Sequence, residues 1–210
     1  SPLPPEVFDA IGPYVHACKM MGSMASQILG HTPKSLKVEL AGGLADADPA
    51  PLLAAVLDGG LSYRRLGAFS AANAESVASQ HGISVTTASV RDAGEYASSV
   101  RIVADEVEVA ATLFGTEHTP RIISLMGYKI DIAPATTSLV FEYVDAPGRI
   151  GVIGTILGEA AANITTMQIG TKPEESCALV YMNVEGDVSE AVLDRLRGAI
   201  DLRNLWKITL

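Results

Sequence analysis

LVFEYVDAPGRIGVIGTILGEAAANITTMQI, residues 139–169, reads as a strand, a tight turn, a helix and a second strand. Apolar and polar residues nearly alternate over 139–144, the period of a strand with one buried face. Asp145-Ala146-Pro147-Gly148 combines a fixed φ at Pro with the freedom of Gly, the chemistry of a sharp turn. Ile150, Ile153, Ile156, Leu157 and Ala160 then recur at helical spacing and predict a helix over 149–162. Asn163, which tolerates left-handed backbone, is expected to end it. The chain returns as strand over 164–171. The first N–H groups of the helix have no partners inside it, and its dipole is positive there. That end suits a small carboxylate. Asp145 on the same turn reads two ways, as a cap or turn residue, or as the receiver of an ammonium group. A site for both charges fits a free amino acid.

Downstream, Pro173-Glu174-Glu175 forms a hairpin loop and SCALVYMNV (176–184) a third strand. A helix over 188–198 carries Val188, Val192, Leu196 and Ala199 on one stripe, and LWKITL (205–210) closes the chain as strand. The order β-α-β-β-α-β is that of a ferredoxin-like unit. Such a unit puts both helices on one sheet face. Its other face and edges are expected to stay open to a partner, which points to a homodimer or higher homo-oligomer.

Upstream, Ala133-Pro134-Ala135-Thr136-Thr137 is short, polar and Pro-containing, and sets the boundary between domains at 1–135 and 136–210. The first part opens with an extended Ser1-Pro-Leu-Pro-Pro connector, expected to join this chain to a longer polypeptide. A helix follows over 7–29, closed by Gly30. Its Met20, Met21 and Met24 read as core filler rather than a ligand set. KSLKVEL (34–40) is a strand. Asp48-Pro49 opens a helix expected to stop at Gly59-Gly60. A helix over 71–80 with Asn73 as cap, then strands over 83–90, 96–104, 106–114 and 121–132, complete an α+β pattern. Asp105-Glu106 is a tight turn between two of the strands, and Gly127 interrupts the last.

The 210 residues are 48% hydrophobic and 19% charged, enough apolar content for a core and too much for disorder. The formal net charge of −9 argues against a nucleic-acid or anionic-membrane surface. No apolar run would span a bilayer and no signal peptide is legible, so a cytoplasmic setting is expected. Cys18 and Cys177 lie far apart and match no metal or redox spacing, and read as reduced, semi-buried thiols. No metal site is expected.

The turn D-A-P-G-R-I-G, its helix and the N-I that follows resemble an ACT domain. With H-T-P-R-I-I-S-L-M-G-Y-K-I-D-I upstream, nearly the whole chain resembles the C-terminal regulatory half of long-form D-3-phosphoglycerate dehydrogenases, an intervening domain followed by an ACT domain. That resemblance implies that L-serine, the pathway end product, binds between two ACT domains and slows the enzyme. The matching positions are Tyr143 and Asp145, with backbone N–H groups near Arg149 and Ile150 for the carboxylate and Asn163 from the neighbouring subunit. It also implies an anion site in the intervening domain, for which Arg121 and Lys129 are the candidates. Ala133 and Asn183 stand where relatives with that site carry arginines.

Dehydrogenase chemistry itself is not legible here. Gly148-x-x-Gly151-x-x-Gly154 is not GxGxxG, and His16, His31, His81 and His118 lack a carboxylate or arginine setting. No catalytic residue and no cofactor is expected in this chain; NAD is expected in a catalytic domain outside it. A second reading is an amino-acid-sensing part of another protein, such as the β part of an iron–sulfur L-serine dehydratase, whose cluster two cysteines could not hold.

Overall fold

The computed structural model describes residues 5–62 and 69–210, so the N-terminal connector, but for Pro5, lies outside the described residues. The fold is α+β, as expected, and the chain divides into two compact units, Ser1–Gly127 and Tyr128–Leu210. The sequence reading puts its boundary after Ala135; residues 128–135 are held in the second unit by contacts described below.

The first unit holds α1 (Pro5–Leu29), β1 (Ser35–Gly42), α2 (Ala50–Ser62), α3 (Ala74–Gln80), β2 (Ser84–Val90), β3 (Ser98–Ala104), β4 (Val107–Phe114) and β5 (Thr119–Leu125). Its strands are hydrogen-bonded in the order β2-β1-β3-β4-β5. β1 and β2 run parallel, with α2 and α3 in the crossover, and the other neighbours are antiparallel. Met21, Met24, Leu52, Val38 and Ile102 are fully buried at its centre. Cys18 lies there too, and burial pushes its thiol up to about 12, which keeps it protonated and inert.

Three local details position these elements. Ala50 N–H donates to Asp48 Oδ1 at 3.0 Å, so α2 opens where Asp48-Pro49 predicts. It does not stop at Gly59-Gly60, but runs through both to Ser62. The reason is packing rather than propensity. A Cβ on Gly59 would lie 1.9 Å from the Lys19 carbonyl oxygen, and one on Gly22 of α1 2.0 Å from that of Val56. The two helices touch backbone to backbone, and only glycine permits it. At the β3–β4 turn Asp105 takes a left-handed φ of 50°, and its carboxylate accepts the N–H groups of Lys34 (3.0 Å) and Ser35 (2.9 Å). One residue thus makes the turn and ties down the start of β1.

The second unit holds β6 (Tyr128–Ile132), β7 (Thr137–Val144), α4 (Arg149–Glu159), β8 (Asn163–Lys172), β9 (Cys177–Glu185), α5 (Glu190–Ala199) and β10 (Leu202–Thr209). Its antiparallel sheet has the order β10-β7-β9-β8, the ferredoxin-like arrangement. Leu139, Phe141 and Tyr143 of β7 face Ile153 and Leu157 of α4 and Leu196 of α5 in one core.

The structure corrects two expectations here. Asn163 does not end α4; it begins β8. The helix ends at Glu159, and Ala161, with φ 56°, is the left-handed residue just beyond its C-cap Ala160. Ala162 N–H reaches the Leu157 carbonyl (2.9 Å) and Ala161 N–H that of Gly158 (3.0 Å), the bond pattern of a Schellman cap. The second correction concerns the other sheet face. Every residue of β9 from Cys177 to Val184 is buried, so this central strand is covered on both faces, while the outer strands β8 and β10 stay largely exposed. β6 supplies cover. Tyr128 Oη donates to Glu142 Oε1 at 2.9 Å, and a Cβ on Gly170 would lie 2.8 Å from the Lys129 carbonyl oxygen. Asn183 holds the segment after β6, donating to Ala133 O (2.9 Å) and accepting from Ala135 N–H (3.2 Å) and Ser138 Oγ (2.9 Å). Among the described residues no helix is long and apolar enough to cross a membrane.

Candidate functional site

Strand order builds the floor of the site. Tyr143 on β7 pairs with Ala178 on β9, and Ala178 pairs in turn with Thr171 on β8. The turn after β7 and the first turn of α4 form the wall. The result is an open cleft of about 530 Å³, lined by Tyr143, Asp145, Arg149, Ile150, Gly151, Ile169 and Thr171 among others. That is ample for a ligand the size of an amino acid.

The helix start is uncapped. Gly148 stands at the N-cap with φ 88°, and no side chain hydrogen-bonds the first turn. The Asp145 reading as an N-cap therefore does not hold; its own N–H is fixed by the Ser176 carbonyl at 3.0 Å, which leaves the carboxylate at the exposed rim. Arg149 N–H makes only a long 3.5 Å contact with Ala146 O, and Val152 N–H is the first to reach a helical carbonyl, that of Gly148 at 3.2 Å. Ile150 and Gly151 N–H groups, between them, have no backbone acceptor and line the cleft.

Tyr143 is buried but for its edge on the cleft. Burial pushes its hydroxyl up from the usual phenol range, and the nearby Asp145 charge adds to the shift. It is a neutral donor throughout the physiological range. Arg149 places a cation at the positive end of a helix, an unfavourable position by itself. Its Nη2 donates to Asp201 Oδ2 at 2.5 Å, which offsets that charge, while its Nε is buried without a partner among the described residues.

The structure thus brings together Tyr143, Asp145, Arg149 and Ile150. It does not bring Asn163 to them. Asn163 pairs with Glu185 at one end of β8, whereas the cleft lies at the other end, near Thr171. Sequence reasoning missed Thr171, Ile169 and Asp201. The period-2 pattern of β8 read against β9 would have placed Thr171 beside Tyr143. Nothing local flags Asp201. Of the anion candidates, Arg121 lies in the first unit with its guanidinium 5.5 Å from the Phe114 ring, and Lys129 lies in the second, exposed on β6.

Comparison with known proteins fits this architecture. The model of the D-3-phosphoglycerate dehydrogenase intervening domain matches residues 10–126. The chain belongs to that family. D-3-phosphoglycerate dehydrogenases of Mycobacterium tuberculosis and Mycobacterium leprae are 27% and 29% identical over 209 residues. That of Methanocaldococcus jannaschii is 24% identical over 210. These alignments cover 97–99% of this chain but 40% of each relative, so the chain spans two-fifths of the length of these dehydrogenases.

Among the described residues, the parallel β1–β2 crossover is one place where a strand and following glycines suggest a phosphate cradle. There a Cβ on Gly42 would lie 2.2 Å from the Ala97 carbonyl oxygen, so the glycine accommodates the chain's own backbone. β7, which precedes the glycines of α4, has antiparallel neighbours on both sides. Among the described residues no group of three His, Cys, Asp or Glu side chains converges on a metal position.

Proposed function

We propose that this chain is the regulatory part of a D-3-phosphoglycerate dehydrogenase in L-serine biosynthesis, and that its second unit is an ACT domain that binds L-serine. The observation that carries the reading is the uncapped start of α4 beside Asp145. The ligand carboxylate accepts from Ile150 and Gly151 N–H, its ammonium pairs with Asp145, and Tyr143 donates from the floor. Asn163 comes from a second copy, which makes a homodimer part of the site. Hydride transfer with NAD belongs to a catalytic domain outside this chain, and a cytoplasmic location goes with that role. The names of the relatives favour this reading over a dehydratase subunit.

Inhibition follows if the ligand-bound dimer favours one arrangement of the parent enzyme, by no more than the difference in L-serine affinity between arrangements. Calorimetric titration with L-serine tests the site. Saturable heat is expected, with affinity at least about tenfold weaker in Asp145→Ala, the scale of a lost charge-assisted bond. Absence of heat with the unaltered protein would contradict the proposal.

A further inference from the structure

Among the described residues, β2 closes one end of its strand order and has a single neighbour, β1. Its sequence, SVTTASV, holds no charge, proline or glycine, in a chain of net charge −9. Proteins usually blunt such an edge with a lysine, a proline, a bulge or a covering segment. The edges of the second unit's sheet show such devices. β8 is bulged between Ile164 and Thr166, and β10 is bulged between Leu202 and Asn204 and carries Arg203 and Lys207. β2 is regular along its whole length, and none of its residues is buried by described parts of the chain.

The register fixes which groups are open. Ser84 N–H donates to Lys34 O at 2.8 Å, and Ser84 pairs with Ser35 in the parallel ladder. Residues alternate, so Ser84, Thr86, Ala88 and Val90 turn their N–H and C=O groups to β1. Val85, Thr87 and Ser89 turn theirs away. These three are symmetric about Thr87.

We infer that β2 is a self-pairing edge, at which two copies of the chain join antiparallel about a two-fold axis through Thr87. Thr87 then faces Thr87, and Val85 faces Ser89 on either side. All three are hydrogen-bonded positions, each facing pair exchanging two bonds, so every outward backbone group of the strand is used. The neutral sequence sets no like charges opposite each other; Ser84 faces Val90 and Thr86 faces Ala88. A lone strand pair buries less than the roughly 1,200 Å² of a stable interface, so the contact is weak and concentration-dependent. It is separate from the L-serine seam, which lies in the other unit.

Amide hydrogen exchange on the full chain at low and high protein concentration tests this. Protection at Val85, Thr87 and Ser89 is expected to rise about tenfold or more with concentration, in step with sedimenting mass, while Thr86 and Ala88 are protected throughout by β1. Thr87→Pro removes an outward N–H and spares the β1 ladder, so it should abolish the concentration dependence with the circular dichroism unchanged. Should that variant misfold, Thr87→Lys sets two cations face to face across the axis and is expected to do the same. Asn163→Ala, aimed at the L-serine seam, should leave the three amides as protected as before. Rapid exchange at all three at every concentration would overturn the inference. So would association that Thr87→Lys leaves intact, or protection seen only when a different protein is added.

Discussion

The interior glycines of α2 and those of α4 do opposite things. In α2, Gly59 and Gly60 sit against α1, where added Cβ atoms would meet the Lys19 and Gly22 carbonyl oxygens at 1.9 and 3.0 Å. In α4, Cβ atoms on Gly151, Gly154 and Gly158 would meet nothing within 4 Å. The first set is filled by the protein's own backbone and serves the core. The second leaves one face of a helix bare, beside a cleft with unpaired N–H groups. Composition alone does not separate the two; what stands opposite each residue does.

The contrast can be broken by substitution. Gly59→Ala should be the most damaging, because α1 and α2 must part to admit the methyl group. A loss of about 3 kcal/mol is expected, the scale of overpacking a rigid contact, read as a lower urea midpoint. Ala161→Gly should act in the other direction. α4 has an alanine at the left-handed position of its Schellman cap, and relieving it should stabilise the second unit by about 1 kcal/mol. Gly154→Ala should stabilise by about 0.5–1 kcal/mol through helix propensity, since nothing opposes the methyl group. If Gly154→Ala destabilised as much as Gly59→Ala, the distinction between filled and open glycines would fail. Thermal unfolding of the three variants decides it.

These helices also show how far the sequence was legible. The β-α-β-β-α-β order and most strands follow from periodicity, because a half-buried strand or helix writes its buried face into the chain. Gly59-Gly60 misleads, because a local reading treats glycine as a stop and cannot see α1 across the contact. Asn163 misleads because the cap falls two residues earlier, on an alanine that propensity would reject. The packing of β6 against the second sheet face was not legible, since it depends on Gly170 admitting the β6 backbone. At the cleft, Asp145 and the start of α4 were legible because they lie on one continuous stretch, while Tyr143 entered through the family resemblance. Thr171 and Asp201 were not, since strand pairing and a long-range ion pair bring them in.

The central claim is that the bare start of α4 and Asp145 together hold a zwitterion. Amide chemical shifts of Ile150 and Gly151 during titration with L-serine, against L-serine methyl ester and N-acetyl-L-serine, test it most directly. L-serine should move both resonances saturably, the ester should leave them in place for want of a carboxylate, and the acetylated form should bind at least about tenfold more weakly for want of an ammonium. Equal shifts with all three ligands, or none at these two amides with L-serine, would contradict it.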